Sequence, residues 1–172
     1  FTLSASTGSS NTAVGRTSLN LNTTGYQNTA VGASSLDANT TGNRNTAVGE
    51  QALTDSTTSS NNTAVGRSAL ASNTTGSENT AVGSQCLDNN TTGTNGVAMG
   101  YHALGVNTSG NNNTAVGLRA LQRNTTAHHN VAVASFPLDS TSPTSNTTAF
   151  VTAPPGSNTP STQNAPLAPS CL

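Results

Sequence analysis

The feature that most constrains the fold of this chain is a pentapeptide that returns at one fixed interval. The sequence NTAVG begins at Asn11, and each later copy begins 17 residues after the one before it. Eight copies follow one another in this way without insertion or deletion. The later copies begin at Asn28, Asn45, Asn62, Asn79, Gly96 (as GVAMG), Asn113 and Asn130 (as NVAVA). A fixed interval of this length is typical of a solenoid, in which each unit must lie in register on its neighbour.

The repeated unit reads NTAVGxxALxxNTTGxx, and we number its positions 1 to 17 from Asn11. Position 9 is Leu in all eight copies, and Gly occupies position 5 in seven copies and position 15 in five. Gly suits backbone turns, and no stretch holds a 3.6-residue period for long enough to form a helix. We therefore predict an all-β chain, a parallel β-solenoid or β-roll of eight 17-residue coils, each with two short strands separated by turns. At about 4.8 Å per coil, this stack is about 38 Å long.

The solenoid is predicted to occupy residues 11–140, preceded by a partial coil or N-terminal cap at residues 1–10. Residues 141–172 contain six of the seven Pro, with many Ser and Thr, and are predicted to form an extended tail. A short segment in this tail contains Phe150 and Val151. It is predicted either to cap the last coil or to lie along a neighbouring subunit as an added strand, and a flexible tail is the alternative.

The strand residues at positions 2 to 4 predict an inside and an outside. Position 2 is Thr or Val and position 4 is Val or Met, so we assign both to the interior. Position 3, which is always Ala, then lies outside, where a small side chain permits a partner to approach closely. The residues predicted to face an oligomer partner are Ala13, Ala30, Ala47, Ala64, Ala81, Ala98, Ala115 and Ala132. Because so thin a core stabilises a coil weakly, we expect association, most simply around a threefold axis.

Composition limits the classes of partner. Hydrophobic residues make up 31% of the chain, aromatic residues 3% and charged residues 6%. The formal net charge is −1, and all five basic residues other than His are Arg, so no basic patch is expected to bind nucleic acid. No apolar run approaches the roughly 20 residues that span a bilayer, so membrane insertion is not expected.

Two motifs carry a resemblance to a known family. NTAVG followed by AL, and GVAMG at Gly96–Gly100, resemble the SVAIG-type repeats in the heads of trimeric autotransporter adhesins. Arrays of NTAVG, AL and NTTG are also similar to those in tail-fibre proteins of phages and of large algal viruses. The resemblance covers about residues 11–140 and implies a left-handed parallel β-roll, with three chains side by side, used for extracellular attachment or as a fibre shaft. The adhesin unit is typically shorter, and no stalk or membrane anchor is expected here, so autotransport itself is not implied.

The sequence offers two candidate kinds of covalent modification. Ten Asn-x-Ser/Thr sequons occur, and six of them share position 12, so glycans on them would form a row along one edge. These six are Asn22, Asn39, Asn73, Asn90, Asn107 and Asn124. The competing interpretation is a hydrogen-bonded ladder of Asn side chains. Cys86 lies at position 8, where other copies have Ser or Ala, and either fills that space as a thiol or forms a disulfide with Cys171.

Candidates for catalysis and metal binding are weak. Neighbouring side chains such as His128 and His129 point to opposite faces of a strand, so we read the pair as a solvated loop and predict no metal site. Asp37, Asp88 and Asp139 share position 10 but lie three coils apart, about 14 Å, which is too far for paired acid–base work. No catalytic or phosphate-binding motif occurs. We predict a chain that is not an enzyme and needs no cofactor.

The expected function is therefore structural. We predict an extracellular fibre or adhesin-head component that assembles with itself as a homotrimer or homopolymer and presents a surface, with a host-surface receptor or glycan as a further partner. One alternative is a glycosylated, self-polymerising extracellular filament subunit. A second alternative is an ice-binding solenoid, which requires Thr ladders that face outward on a flat strand surface.

Overall fold

The computed structural model describes residues 7–136 and 144–150 of the chain. Nine three-residue strands form one parallel sheet in chain order, and the described residues contain no helix. The strands are β1 (Thr12–Val14), β2 (Thr29–Val31), β3 (Thr46–Val48), β4 (Thr63–Val65), β5 (Thr80–Val82), β6 (Val97–Met99), β7 (Thr114–Val116), β8 (Val131–Val133) and β9 (Thr148–Phe150). The prediction of an all-β parallel solenoid with a 17-residue coil is confirmed.

Every strand pairs with the next at an offset of one repeat. Ala13 lies opposite Ala30, and the same register holds through all eight pairs of strands. The Thr12 N–H donates to the carbonyl of Asn28 over 2.8 Å, and the Gly32 N–H donates to the carbonyl of Val14 over 2.8 Å. An insertion in any coil would displace the rest of that coil from its partners in the adjacent coils, and this favours an interval that never varies.

The second strand predicted for each coil is not formed among the described residues. Positions 6 to 11 form turns in the first seven coils, and the Leu at position 9 has a left-handed backbone, with φ of 49° at Leu19 and 53° at Leu70. The Leu19 N–H still donates to the carbonyl of Ser35, at 3.1 Å. A left-handed conformation costs an L-residue about 1 kcal/mol, and full burial of the Leu side chain contributes about 2 kcal/mol in return. The left-handed turn therefore places one Leu side chain per coil in the core.

The core is built from one Leu and two small side chains per coil. Leu at position 9 is buried in every described coil, as are the Ala, Ser or Cys residues at position 8. The Ala side chains of β2 to β8 are also fully buried, at 0% exposure. The Leu and Ala residues belong to one buried cluster, so the interior of a coil is filled by one long side chain and small ones.

The predicted orientation of the strands is therefore wrong. Thr and Val at positions 2 and 4 face outward, and Ala at position 3 faces the core. The Ala residues predicted to face a partner are instead core residues: Ala13, which is half-buried in the first coil, and the fully buried Ala30, Ala47, Ala64, Ala81, Ala98, Ala115 and Ala132.

Two ladders of buried Asn side chains line the interior. At position 12, Asn39 Nδ2 donates to Asn22 Oδ1 over 2.8 Å and also to the carbonyl of Gly42. At position 1, the Asn45 N–H donates to Asn28 Oδ1 over 2.9 Å, while Asn28 Nδ2 donates to the same Gly42 carbonyl over 2.8 Å. These amides satisfy backbone groups that the coil removes from water.

The position-12 ladder is interrupted once, in the third coil, where Ser56 and Ser59 replace Asn and Gly. Their two hydroxyl oxygens lie 2.5 Å apart, and Ser59 Oγ accepts hydrogen bonds from Nδ2 of Asn62 and Asn73. In an ordinary coil there is no room for this second side chain, because a Cβ on Gly93 would lie 2.4 Å from Asn90 Oδ1. Asn with Gly and Ser with Ser are thus alternative ways to fill one space.

This alternation predicts a coupling between two substitutions. Gly93→Ser alone is expected to destabilise the chain, because its new Cβ meets Asn90 Oδ1. In the double variant Asn90→Ser/Gly93→Ser, the loss is expected to be smaller than the sum of the two single losses by about 1–2 kcal/mol. A double-mutant cycle by chemical denaturation measures this difference. Strictly additive losses would show that the two positions do not share one space.

The chain adds a ninth strand to its own sheet from the segment predicted as tail. β9 pairs with β8 in the common register, so Ala149 lies opposite Ala132. Thr147 occupies position 1, and its N–H donates to Asn130 Oδ1 over 2.8 Å as an Asn would. The ninth unit is hard to recognise in sequence because Thr replaces Asn and Phe150 replaces Val. Val151, like residues 1–6, 137–143 and 152–172, lies outside the described residues.

Candidate functional site

The outward side chains of the strands form one continuous surface, which we call the Thr–Val face. It consists of position 2, with Thr12, Thr29, Thr46, Thr63, Thr80, Val97, Thr114 and Val131, and position 4, with Val14, Val31, Val48, Val65, Val82, Met99, Val116 and Val133. From strand and coil spacings, it measures about 38 Å by 10 Å. A largely apolar surface of this extent commonly marks an interaction site.

The Thr–Val face is uncharged, and six of its sixteen residues are exposed while the other ten are half-buried. Val14 is 56% exposed, Met99 44%, and Val48 and Val65 37% each. None of the residues of this face is ionisable. Because a charge-free face does not repel an identical one, two copies of this chain can bring their faces together without burying an unpaired charge.

The opposite turns of the coil carry two rows of Thr with different environments. At position 13, the hydroxyl donates to the next coil, as from Thr23 Oγ1 to the carbonyl of Thr40 over 2.8 Å. At position 14, the side chains are exposed in six described coils: Thr24, Thr41, Thr58, Thr75, Thr92 and Thr126. The first Thr of NTT is therefore part of the scaffold, and the second is open to solvent.

The six Asn residues at position 12 do not offer an acceptor for N-glycosylation in the folded chain. Asn22, Asn39, Asn73, Asn90, Asn107 and Asn124 are at most 3% exposed. The glycan would attach to Nδ2, which in Asn90 donates to Asn73 Oδ1 and to the carbonyl of Gly93. Their prediction as glycan sites is corrected to that of a hydrogen-bonded ladder. The remaining sequons have exposed Asn side chains, at Asn61, Asn89, Asn112 and Asn146.

Cys86 is a buried core residue. Its thiol is fully enclosed and free, and desolvation by burial raises its pKa to about 12. At neutral pH the side chain is therefore a neutral thiol that packs like the Ala and Ser of neighbouring coils. Cys171 lies outside the described residues, so the proposed pairing of Cys86 with Cys171 stays a prediction.

Of the ionisable residues singled out by sequence, Asp139 lies outside the described residues. Burial raises the pKa of Asp88, and the nearby His102 and Arg67 act in the opposite direction. His128 Nδ1 accepts a hydrogen bond from the Asn111 N–H over 2.9 Å, so this nitrogen already has a structural partner. In the part of the chain that the structure describes, no group of three or more His, Cys, Asp or Glu side chains could hold a metal ion.

Comparison of the chain with protein-family models, with curated proteins and with solved structures gives no match. Across the described residues, no helix is long and apolar enough to cross a membrane.

The Thr–Val face is the feature of the fold that sequence analysis assigned to the interior. The signal that could have found it is constancy: position 3 never varies, whereas positions 2 and 4 do.

Proposed function

We propose that this chain is a structural component of an extracellular fibre or adhesin head and assembles with copies of itself through the Thr–Val face. The observation that carries the proposal is the charge-free row of exposed and half-buried Val side chains on a solenoid with one Leu per coil in its core. Removing a half-exposed Val from water contributes about 1 kcal/mol. Because the contact repeats at every coil, many weak contacts along the solenoid add up to a strong association.

The rest of the coil supports a presenting role. The residue at position 17 is exposed in each of the first seven coils. Its chemistry varies, with Gln27, Arg44, Glu78 and His129 as examples. A constant scaffold with a variable exposed row suits a shaft or head that meets a host-surface receptor or glycan. The packing of three chains around an axis, or of many chains in a filament, would leave this row accessible if the Thr–Val face is covered.

Substitution of one central Val with Arg tests this proposal. Val65→Arg places a charge in the middle of the Thr–Val face and is expected to weaken self-association at least about 100-fold, since burying an unpaired charge costs several kcal/mol. Thr75→Arg, an exposed position outside this face, is the matched control and is expected to leave association unchanged. Particle mass by light scattering, with electron microscopy of the parent chain, gives the measurement.

Two outcomes would contradict the proposal. A parent chain that remains a single chain at high concentration would show that the Thr–Val face has no partner of its own kind. Equal weakening by Val65→Arg and Thr75→Arg would show that association uses another surface.

A second candidate function, ice binding, is favoured by one observation, the outward Thr ladder. Thr recurs every coil at position 2 of a regular parallel sheet, except at Val97 and Val131. These exceptions and Met99 interrupt the regular surface that a lattice would require, so we place self-assembly first. Measurement of ice recrystallisation with the single chain separates the two functions: inhibition by the parent and its loss in Thr63→Tyr would support ice binding.

A further inference from the structure

We propose that Val97 and Met99 fix the axial register in which copies of this chain pack side by side through the Thr–Val face. The partner is a second copy of the same chain, running parallel, with sixth coil against sixth coil. This inference rests on the proposed self-assembly and adds to it a specific alignment. It concerns the sixth coil. Among the coils whose side chains the structure describes, this is the one in which both position 2 and position 4 differ from Thr and Val.

A perfectly periodic face has no defined register. Sliding one copy along another by one coil, about 4.8 Å, places each Thr and Val against an identical neighbour. Only one of the nine strands loses its opposite partner in that movement. A pure Thr–Val ladder would therefore permit several alignments of nearly equal free energy, as in any repetitive strand whose side chains do not specify pairing.

Coil 6 breaks this equivalence. Val97 replaces the Thr of position 2, and Met99 replaces the Val of position 4. Val97 is 36% exposed and Met99 44%. Met99 is longer than Val and is flexible enough to fill an irregular gap. When two copies pack with coil 6 against coil 6, their long side chains meet at a single level.

Any other alignment separates the long side chains. After a slip of one coil, Met99 of each copy meets a Val, so the two faces are held apart at two levels and Thr hydroxyls are buried against Val97. Tyr101 and Leu118, which are 45% and 38% exposed, extend the apolar surface beside Met99. Coil 6 lies off the centre of the nine strands, so an antiparallel pair with full overlap would place Met99 against Val65 instead.

Cross-linking between engineered thiols tests the register. The background is the full chain with Cys86→Ser and Cys171→Ser, because Ser already occupies the position of Cys86 at Ser18 and Ser35. Chains carrying Val48→Cys, Val65→Cys or Val82→Cys are mixed in pairs, with one member labelled by mass, and treated with a short thiol-specific cross-linker. Same-position products are expected to exceed products offset by two coils by about tenfold.

The decisive variant is Val97→Thr/Met99→Val, which makes the face regular. It is expected to assemble still, but its same-position and two-coil-offset products should come within about twofold of each other. A matched control, Thr75→Val/Thr92→Val, changes two exposed residues outside the face and should keep the parental preference.

A shifted variant gives an independent readout. Thr63→Val/Val65→Met combined with Val97→Thr/Met99→Val moves the irregular coil from the sixth to the fourth. Mixed with the parent, this chain is expected to cross-link its Val48→Cys thiol to the parental Val82→Cys thiol, two coils away.

The outcomes separate this inference from the function on which it rests. A parent that gives no cross-link and the mass of one chain defeats self-assembly itself. Assembly with the same cross-link distribution in parent and regular variant overturns the register inference alone. Pairing of the shifted variant with the parent in the parental alignment overturns it as well.

Discussion

Replacing Ala64 with phenylalanine is expected to lower the free energy of unfolding of the chain by about 3 kcal/mol, the upper range for overpacking a core. Ala64 is fully buried, and its neighbours in the sheet, Ala47 and Ala81, are buried above and below it. A phenyl ring can enter only by displacing the Leu70 side chain or by opening the β4 pairing. Chemical denaturation followed by far-ultraviolet circular dichroism measures the loss.

The neighbouring residue supplies the control. Val65 is 37% exposed on the outer face, so Val65→Phe is expected to change the unfolding free energy of a single chain by no more than about 0.5 kcal/mol. The two variants introduce the same ring one residue apart, and the comparison therefore reports which side of the strand is inside. Equal losses, or a larger loss at Val65, would contradict the buried position of Ala64.

Much of this fold could be predicted from the repeat alone. The unvarying interval indicates stacked coils, because an insertion in one coil would break its pairing with the adjacent coils. Gly at position 5 marks a corner. At Gly66 the backbone has φ of 135°, and a Cβ would lie 2.5 Å from the Gly83 carbonyl oxygen. Only Gly satisfies both demands. The position of the sheet and the parallel register follow from those constraints.

The orientation of the strands could not be settled by alternation. A period of two shows that Thr63 and Val65 share one side, but it does not show which side is buried. The choice depends on tertiary packing, since Leu70 and Ala64 belong to the same buried cluster. The greater hydrophobicity of Val predicts Val in the interior, but the smaller volume of Ala suits the interior of a narrow coil better.

The role of the Asn residues was also hidden from sequence-based reasoning. The NTT segment reads equally well as a sequon or as a ladder, since both require Asn at the same place. The two interpretations differ in whether the Asn side chain is buried. That burial depends on the tertiary structure of the closed coil, which includes the turn that contains Leu. The Thr–Val face, and with it the candidate site, was missed because the sequence alone does not show which side of each strand is buried.

Replacing Asn90 with aspartate is expected to destabilise the chain strongly, although the two side chains are nearly isosteric. Asn90 Nδ2 donates to Asn73 Oδ1 over 2.8 Å and to the Gly93 carbonyl over 3.0 Å. In Asn90→Asp, a carboxylate oxygen faces these two oxygens without a proton between them. The other carboxylate oxygen keeps the hydrogen bond that Asn107 Nδ2 donates. A neutral amide does not offset the burial of a charge, which costs about 3–5 kcal/mol, so the variant should be largely unfolded at neutral pH if the parent has ordinary stability.

The pH dependence identifies the cause. Burial raises the folded-state pKa of the new carboxyl above its unfolded value of about 3.9. The folded state then binds more protons than the unfolded state, so stability increases as pH falls, by up to about 1.4 kcal/mol per unit, until the pH reaches about 3.9. Denaturation of the variant and the parent at each pH measures this difference and subtracts the titration of native groups such as Asp88.

Asn95→Asp is the control, because Asn95 is exposed and belongs to neither Asn ladder. It is expected to follow the parent within about 0.5 kcal/mol at every pH. Should Asn90→Asp lose no stability at neutral pH, the carboxylate would have to reach water, and the position-12 ladder would be open to solvent. Rescue of Asn90→Asp by acid, without a similar change in Asn95→Asp, would instead establish that Asn90 acts as a buried donor. Its amide would then be part of the scaffold and closed to a glycan in the folded chain.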